Sequence, residues 1–135
     1  MDEIFSSQVS PLDRLEKYYD RVVQDQVDKY EKVGKVCGCP FSSIGSELST
    51  QDEQIRKKAH ELSERTMKYL ACTLRDAAAE GILDTKDPPE LARQVFCYAG
   101  GLIMQAKIEN KPDALKCLKK GVFRLVGASP AESVA

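Results

Sequence analysis

The side chains of this chain best suited to chemistry are its thiols, its one imidazole and its carboxylates. Five cysteines are present, Cys37, Cys39, Cys72, Cys97 and Cys117. Cys37-Gly38-Cys39 brings two thiols close together, but no second Cys/His pair follows at the spacing of a tetrahedral zinc site. The next thiol is as far away as Cys72. The one histidine, His60, opens the run His60-Glu61-Leu62-Ser63-Glu64. That run lacks the second histidine that a metalloprotease helix carries one turn on. A helical di-iron centre needs Glu-x-x-His pairs on facing helices, and a single imidazole cannot supply them. His60 falls with Arg56 and Glu64 on the polar side of its helix and reads as a solvated residue. No metal site is expected.

Other reaction chemistry is equally short of parts. No glycine-rich phosphate loop of either common spacing occurs. Without a nucleophile elbow, and with its imidazole exposed, the chain has no base for a hydrolytic triad. Carboxylates are plentiful, yet they fall on polar faces rather than as a buried pair. The expectation is a protein that is not an enzyme and holds no cofactor.

Composition narrows the class further. A chain of 135 residues fits one domain and can bury roughly two-thirds of the surface exposed by its unfolded form. With 42% apolar and 30% charged residues it is globular rather than disordered. A formal net charge of −1 gives no electrostatic reason for binding nucleic acid or an anionic membrane. No basic-then-apolar leader opens the chain, and the uncharged run from Val95 to Met104 is too short to span a bilayer. The odd cysteine count, with three thiols inside apolar helical pattern, reads as reduced small hydrophobes in a cytoplasmic protein.

The elements that position these residues are helices. Ser10-Pro11-Leu12-Asp13 offers a capping hydroxyl, a proline at the first helical position and an acid in the first turn. Leu12, Leu15, Tyr19, Val22, Val23, Val27 and Tyr30 then recur at helical period until Gly34. Phe41, Ile44 and Leu48 share one side of a short, marginal helix that contains Gly45. Thr50-Gln51-Asp52-Glu53 reads as a capping box opening a long helix closed by Gly81. Asp87-Pro88-Pro89-Glu90 opens the next helix, and Asn110-Lys111-Pro112-Asp113 opens a last one that Gly127 stops. No alternating strand pattern and no repeat is found. The fold class is all-α, a helical bundle over residues 10–127, with residues 128–135 a disordered tail.

Leu91 to Ala106 is apolar all round. Leu91, Val95, Tyr98, Leu102 and Ala106 make one stripe, and Ala92, Phe96, Ala99 and Ile103 make a second. A surface helix needs one apolar stripe only, so the second one predicts burial against another copy of the chain. Gly100 and Gly101 each cost about 1 kcal/mol relative to alanine mid-helix, which suits a close backbone approach or room for a ligand. Leu115, Leu118, Val122 and Leu125 repeat at seam spacing on the last helix. Lys116, Lys119, Lys120 and Arg124 sit largely opposite, as a solvated face. The expected homodimer joins two helices from each copy in an intersubunit four-helix bundle, with Phe96, Ala99, Gly100, Ile103, Leu115, Leu118, Val122 and Leu125 at the interface.

Three stretches together resemble the C-terminal domain of TetR-family transcriptional regulators. These are Gly38-Cys39-Pro40-Phe41 through Glu47-Leu48, then Ala79-Glu80-Gly81-Ile82-Leu83-Asp84 with Asp87-Pro88-Pro89-Glu90-Leu91-Ala92, and finally Tyr98-Ala99-Gly100-Gly101-Leu102 with Asn110-Lys111-Pro112-Asp113-Ala114-Leu115. The resemblance spans about residues 10–127. It implies a homodimer joined by its last two helices, and a pocket among the preceding helices for a small, mostly apolar effector. Effector binding in that family shifts two helix-turn-helix domains on DNA. No helix-turn-helix precedes residue 10, so residues 1–9 are expected to be the remnant of a linking helix or disordered, and DNA binding is expected only through a missing N-terminal half. By position, Tyr19, Val22, Phe41, Ile44, Met67, Leu70 and Tyr98 are the residues expected to line the pocket. Filled in, the same residues would form an ordinary core, and the chain would be a stand-alone homodimeric interaction module with no ligand.

Overall fold

The computed structural model describes residues 1–129, so the tail positions 130–135 lie outside the described residues. Five α-helices and one 3₁₀ segment follow one another: α1 (Pro11–Val33), α2 (Pro40–Leu48), α3 (Glu53–Ala79), α4 (Pro88–Glu109), the 3₁₀ segment (Pro112–Cys117) and α5 (Leu118–Val126). The described residues contain no strand, and the expected all-α class is what the chain adopts.

Local chemistry sets most of the boundaries. The Ser10 hydroxyl accepts from the Asp13 amide, and Pro11 stands where no N–H is needed. The Asp87 carboxylate accepts from the Glu90 amide and opens α4 behind two prolines. One start differs from expectation. The cap of α3 is Asp52, whose carboxylate accepts from both the Gln54 and Ile55 amides at 2.9 and 3.1 Å. A charged acceptor beside two free N–H groups outcompetes the Thr50 hydroxyl two residues earlier. Ala128, placed by the sequence in a disordered tail, belongs instead to the cap of α5. Its amide donates to the Phe123 carbonyl at 3.1 Å while Gly127 takes the left-handed conformation.

The last helix is not one continuous seam. Pro112 begins a 3₁₀ segment that carries Leu115, and the α-helix starts only at Leu118. Leu115, Leu118 and Val122 are each 0% exposed within one protomer. Leu118 and Val122 join Leu15, Tyr19, Leu70, Leu74, Val95 and Phe123 in the main core, whereas Leu115 packs with Val36 and Ala106 in a smaller one. These three leucine and valine side chains are therefore core residues with no surface to offer a partner, which corrects their assignment to the interface. Of the four seam residues only Leu125, 41% exposed, faces out.

Two polar ties hold α1 in place. Arg14, buried, donates to the Val9 carbonyl at 2.7 Å and pairs with Asp76 of α3 at 2.5 Å. Lys119 of α5 bridges Glu16 and Asp20 of α1 at 3.0 and 2.8 Å. The Arg14–Asp76 pair joins the start of α1 to the end of α3, so the two helices run antiparallel. Residues 1–9 form turns rather than a helix, with Phe5 packed at a tilt between Tyr18 and Tyr69 at centroid distances of 5.3 and 5.1 Å.

The thiols also sit differently from expectation. All five are free; Cys37, Cys72, Cys97 and Cys117 are exposed and Cys39 is half-buried. Cys97 and Cys117 fall on the outward sides of α4 and the 3₁₀ segment, beyond the core stripes, so they do not act as core hydrophobes. Among the described residues no group of His, Cys, Asp and Glu is arranged to hold a metal ion. Among the described residues no helix is long and apolar enough to cross a membrane.

Candidate functional site

A cleft of about 1130 Å³ opens among α1, α2, α3 and α4. Its position depends on how α2 is seated. Gly45 of α2 lies so close to α3 that an added β-carbon would stand 2.7 Å from the Ala59 methyl. Only glycine lets the short helix rest there. The loop before α2 is held from two sides. Gln26, on the buried side of α1, makes two bonds to one residue: its Nε2 donates to the Gly38 carbonyl at 3.1 Å, and the Gly38 amide donates to its Oε1 at 2.9 Å. Asn110, at the end of α4, accepts from the Val36 amide at 3.0 Å and donates to the Gly34 carbonyl at 3.2 Å. Lys107 of α4 reaches Ser43 of α2 at 3.2 Å. Polar bonds hold this wall off α1 and α4, so apolar contact does not close the space behind it.

The lower wall of the cleft is apolar, with Val22, Leu62, Phe96, Ala99 and Ile103, and Tyr18 and Tyr19 add phenol groups from α1. Burial pushes the Tyr19 phenol far above the usual value of 10, with the neighbouring Tyr18 adding to the rise. Burial raises Tyr18 as well, with Cys39 beside it as the second cause. Both phenols are therefore neutral donors at any ordinary pH. Among the described residues no hydrogen bond engages the Tyr19 hydroxyl, and it is not sealed off from solvent.

The raised Tyr19 value predicts alkaline instability. The unfolded chain ionises its tyrosines near pH 10, whereas folded Tyr19 holds its proton to higher pH. The stabilising difference is complete below about pH 10 and is lost as pH rises beyond it, by up to about 1.4 kcal/mol per pH unit for one phenol. Urea midpoints measured between about pH 9 and 11 should fall less steeply for Tyr19→Phe than for the native chain. Identical slopes would show that Tyr19 ionises freely in the folded protein.

Of the residues expected to line a pocket, Tyr19, Val22 and Phe41 do so. Leu70 is wholly buried in the core, Met67 is half-buried outside the cleft, and Ile44 is half exposed to solvent. The cleft reaches only the first half of α3, where Ala59, Leu62 and Thr66 line it, and the second half is closed by packing. Tyr98 lies two residues from Phe96, hence on nearly the opposite side of α4. It covers Gly121 of α5 so tightly that an added β-carbon there would overlap its ring. Phe96, Ala99, Gly100 and Ile103, expected at an interface, line the cleft within the protomer. Periodicity had missed Gln26, although a lone amide in line with Val22, Val23 and Tyr30 was a visible signal. His60, read as a solvated surface residue, is exposed at the cleft wall, 3.7 Å from Glu64.

An all-α domain with a largely apolar cleft held open by polar ties is thus what the chain builds. The model of the family described as tetracyclin repressor-like, C-terminal domain, matches residues 11–122. The chain belongs to that family, whose members form part of transcription regulators rather than enzymes. Comparison with curated proteins and with solved structures gave no match.

Proposed function

We propose that this domain binds a small, mostly apolar effector in the cleft between α1, α2, α3 and α4, pairs with a second copy, and serves as the regulatory part of a transcription regulator. The observation that carries this reading is the cleft itself, about 1130 Å³ with an apolar floor, of the size and lining of small-molecule sites. An interaction module without a ligand would instead fill this space with side chains. Family membership supports the same reading. DNA contact belongs to a separate helix-turn-helix part of such a regulator.

Gly100 provides the test. A β-carbon added there meets nothing within 4 Å, and the residue lines the cleft. Gly100→Leu projects a side chain into the free space while improving helix propensity by up to about 1 kcal/mol. A thermal-shift screen of apolar and aromatic compounds should find ligands that stabilise the native chain by about 2.7 kcal/mol at a hundredfold excess over Kd. The Gly100→Leu variant should keep its fold and lose that response. No stabilising compound across a broad set, or an undiminished response in the variant, would count against the cleft as the binding site.

A further inference from the structure

The charges around the cleft are not those of the chain. Overall, 20 Lys and Arg are balanced by 21 Asp and Glu. Around the cleft stand four cationic side chains, Arg21, Lys29, Arg56 and Arg65, against one carboxylate side chain, Asp25. Two of the four are already engaged: Lys29 pairs with Asp25 at 2.6 Å, and Arg56 makes two bonds to Glu53 at 2.6 and 2.7 Å. Arg21 and Arg65 have no acidic partner among the described residues. Measured along the helix pair from one shared contact, they stand about one turn apart. Arg21 is about two turns beyond Arg14 on α1, and Arg65 is about three turns before Asp76 on antiparallel α3, with Arg14 and Asp76 paired.

From this juxtaposition we propose that the effector is an organic acid, an apolar body seated on Phe96 and Ile103 with a carboxylate head held between Arg21 and Arg65. Guanidinium groups match a carboxylate through two parallel N–H donors, and two of them facing one cleft favour an anion over a neutral or cationic head. The neutral phenols of Tyr18 and Tyr19 add donors and no repulsion. This inference rests on the effector reading above, and the experiment separates the two.

Octanoate, octanamide and octylamine share one body and differ in head charge. Calorimetry at low ionic strength should show octanoate binding at least about tenfold tighter than octanamide, octylamine weakest, and the octanoate advantage shrinking with added salt. Both arginines are exposed, so Arg21→Gln/Arg65→Gln should fold normally, lose the preference for octanoate and keep its affinity for octanamide. Equal binding of acid and amide, or a preference for the amine, would overturn the inference while leaving the cleft an effector site. Binding of uncharged apolar compounds with none of the three probes bound would overturn it likewise. If no compound of any charge binds, the effector reading falls and the organic acid with it.

Discussion

Leu118→Ala should destabilise the domain by about 2–5 kcal/mol, the range for removing a fully buried leucine and leaving its cavity behind. Leu118 is 0% exposed and touches the core built from α1, α3, α4 and α5. Four helices meet there, so the wall cannot collapse into the space without moving one of them, and the upper part of the range applies. In a domain of this size the loss lowers Tm by roughly 15 °C. Leu125→Ala, on the same helix, removes the same atoms from a side chain 41% exposed and should change protomer stability by no more than about 1 kcal/mol. Urea unfolding of both variants at one fixed protein concentration checks the contrast, since the proposed pairing of copies would add to apparent stability. Similar losses for the two would mean that the seam residues share one environment, as an intersubunit seam requires, and would contradict the burial found here.

That contrast also marks what periodicity can and cannot reveal. Capping chemistry is local, so Ser10, Asp87, Gly34 and Gly127 announced helix ends that the structure places where expected. Which of several apolar faces meets which neighbour is not local. Leu115, Leu118, Val122 and Leu125 have the spacing of a straight seam, but the 3₁₀ segment from Pro112 to Cys117 changes the turn angle per residue and turns the first of them into a separate small core. On α4, two stripes were correctly seen as apolar. Within the protomer α3 and α5 both pack on this helix, and its Phe96 and Ile103 side lies over the cleft. Gly100 and Gly101, expected to mark a close approach or room for a ligand, meet nothing in the protomer, and Gly100 lines the cleft, whereas Gly45 and Gly121, in less conspicuous surroundings, lie against Ala59 and Tyr98.

The cleft was the least legible part, for a physical reason. A pocket wall is a core stripe whose opposite side is missing, and sequence period is blind to what is missing. Here the missing side is created by polar bonds far apart in sequence, Gln26 to Gly38 and Asn110 to Val36, which hold α2 away from α1 and α4. Arg21, Arg56 and Arg65 likewise look like solvated helix faces until four helices are placed around them. The tyrosines were half readable: Tyr19 sits on the inward stripe of α1 and lines the cleft, while Tyr98 sits on the inward stripe of α4 and serves packing.

Met104→Glu should strongly weaken the proposed pairing of the domain with a second copy. Cys97, Gly101, Met104 and Ile108 follow one another along the outward side of α4, with Met104 58% and Ile108 70% exposed. No charged side chain interrupts α4 between Arg93 and Lys107, so this side offers water a smooth apolar strip with nothing in the protomer to cover it. Gly101 lets a second helix approach, since nothing in its own chain lies within 4 Å of an added β-carbon. In a two-fold pair each substitution appears twice around one axis. Two carboxylates would then be desolvated with no partner, costing several kcal/mol. The expected result is a rise in the dimer dissociation constant of about 10²–10³-fold, read by light scattering over a dilution series. Because Met104 is more than half exposed, helicity and urea midpoint extrapolated to the monomer should stay within about 0.5 kcal/mol of the native chain. A native chain that is monomeric at micromolar concentration, or a variant that pairs as tightly as the native one, would show that the outward side of α4 is not where copies meet.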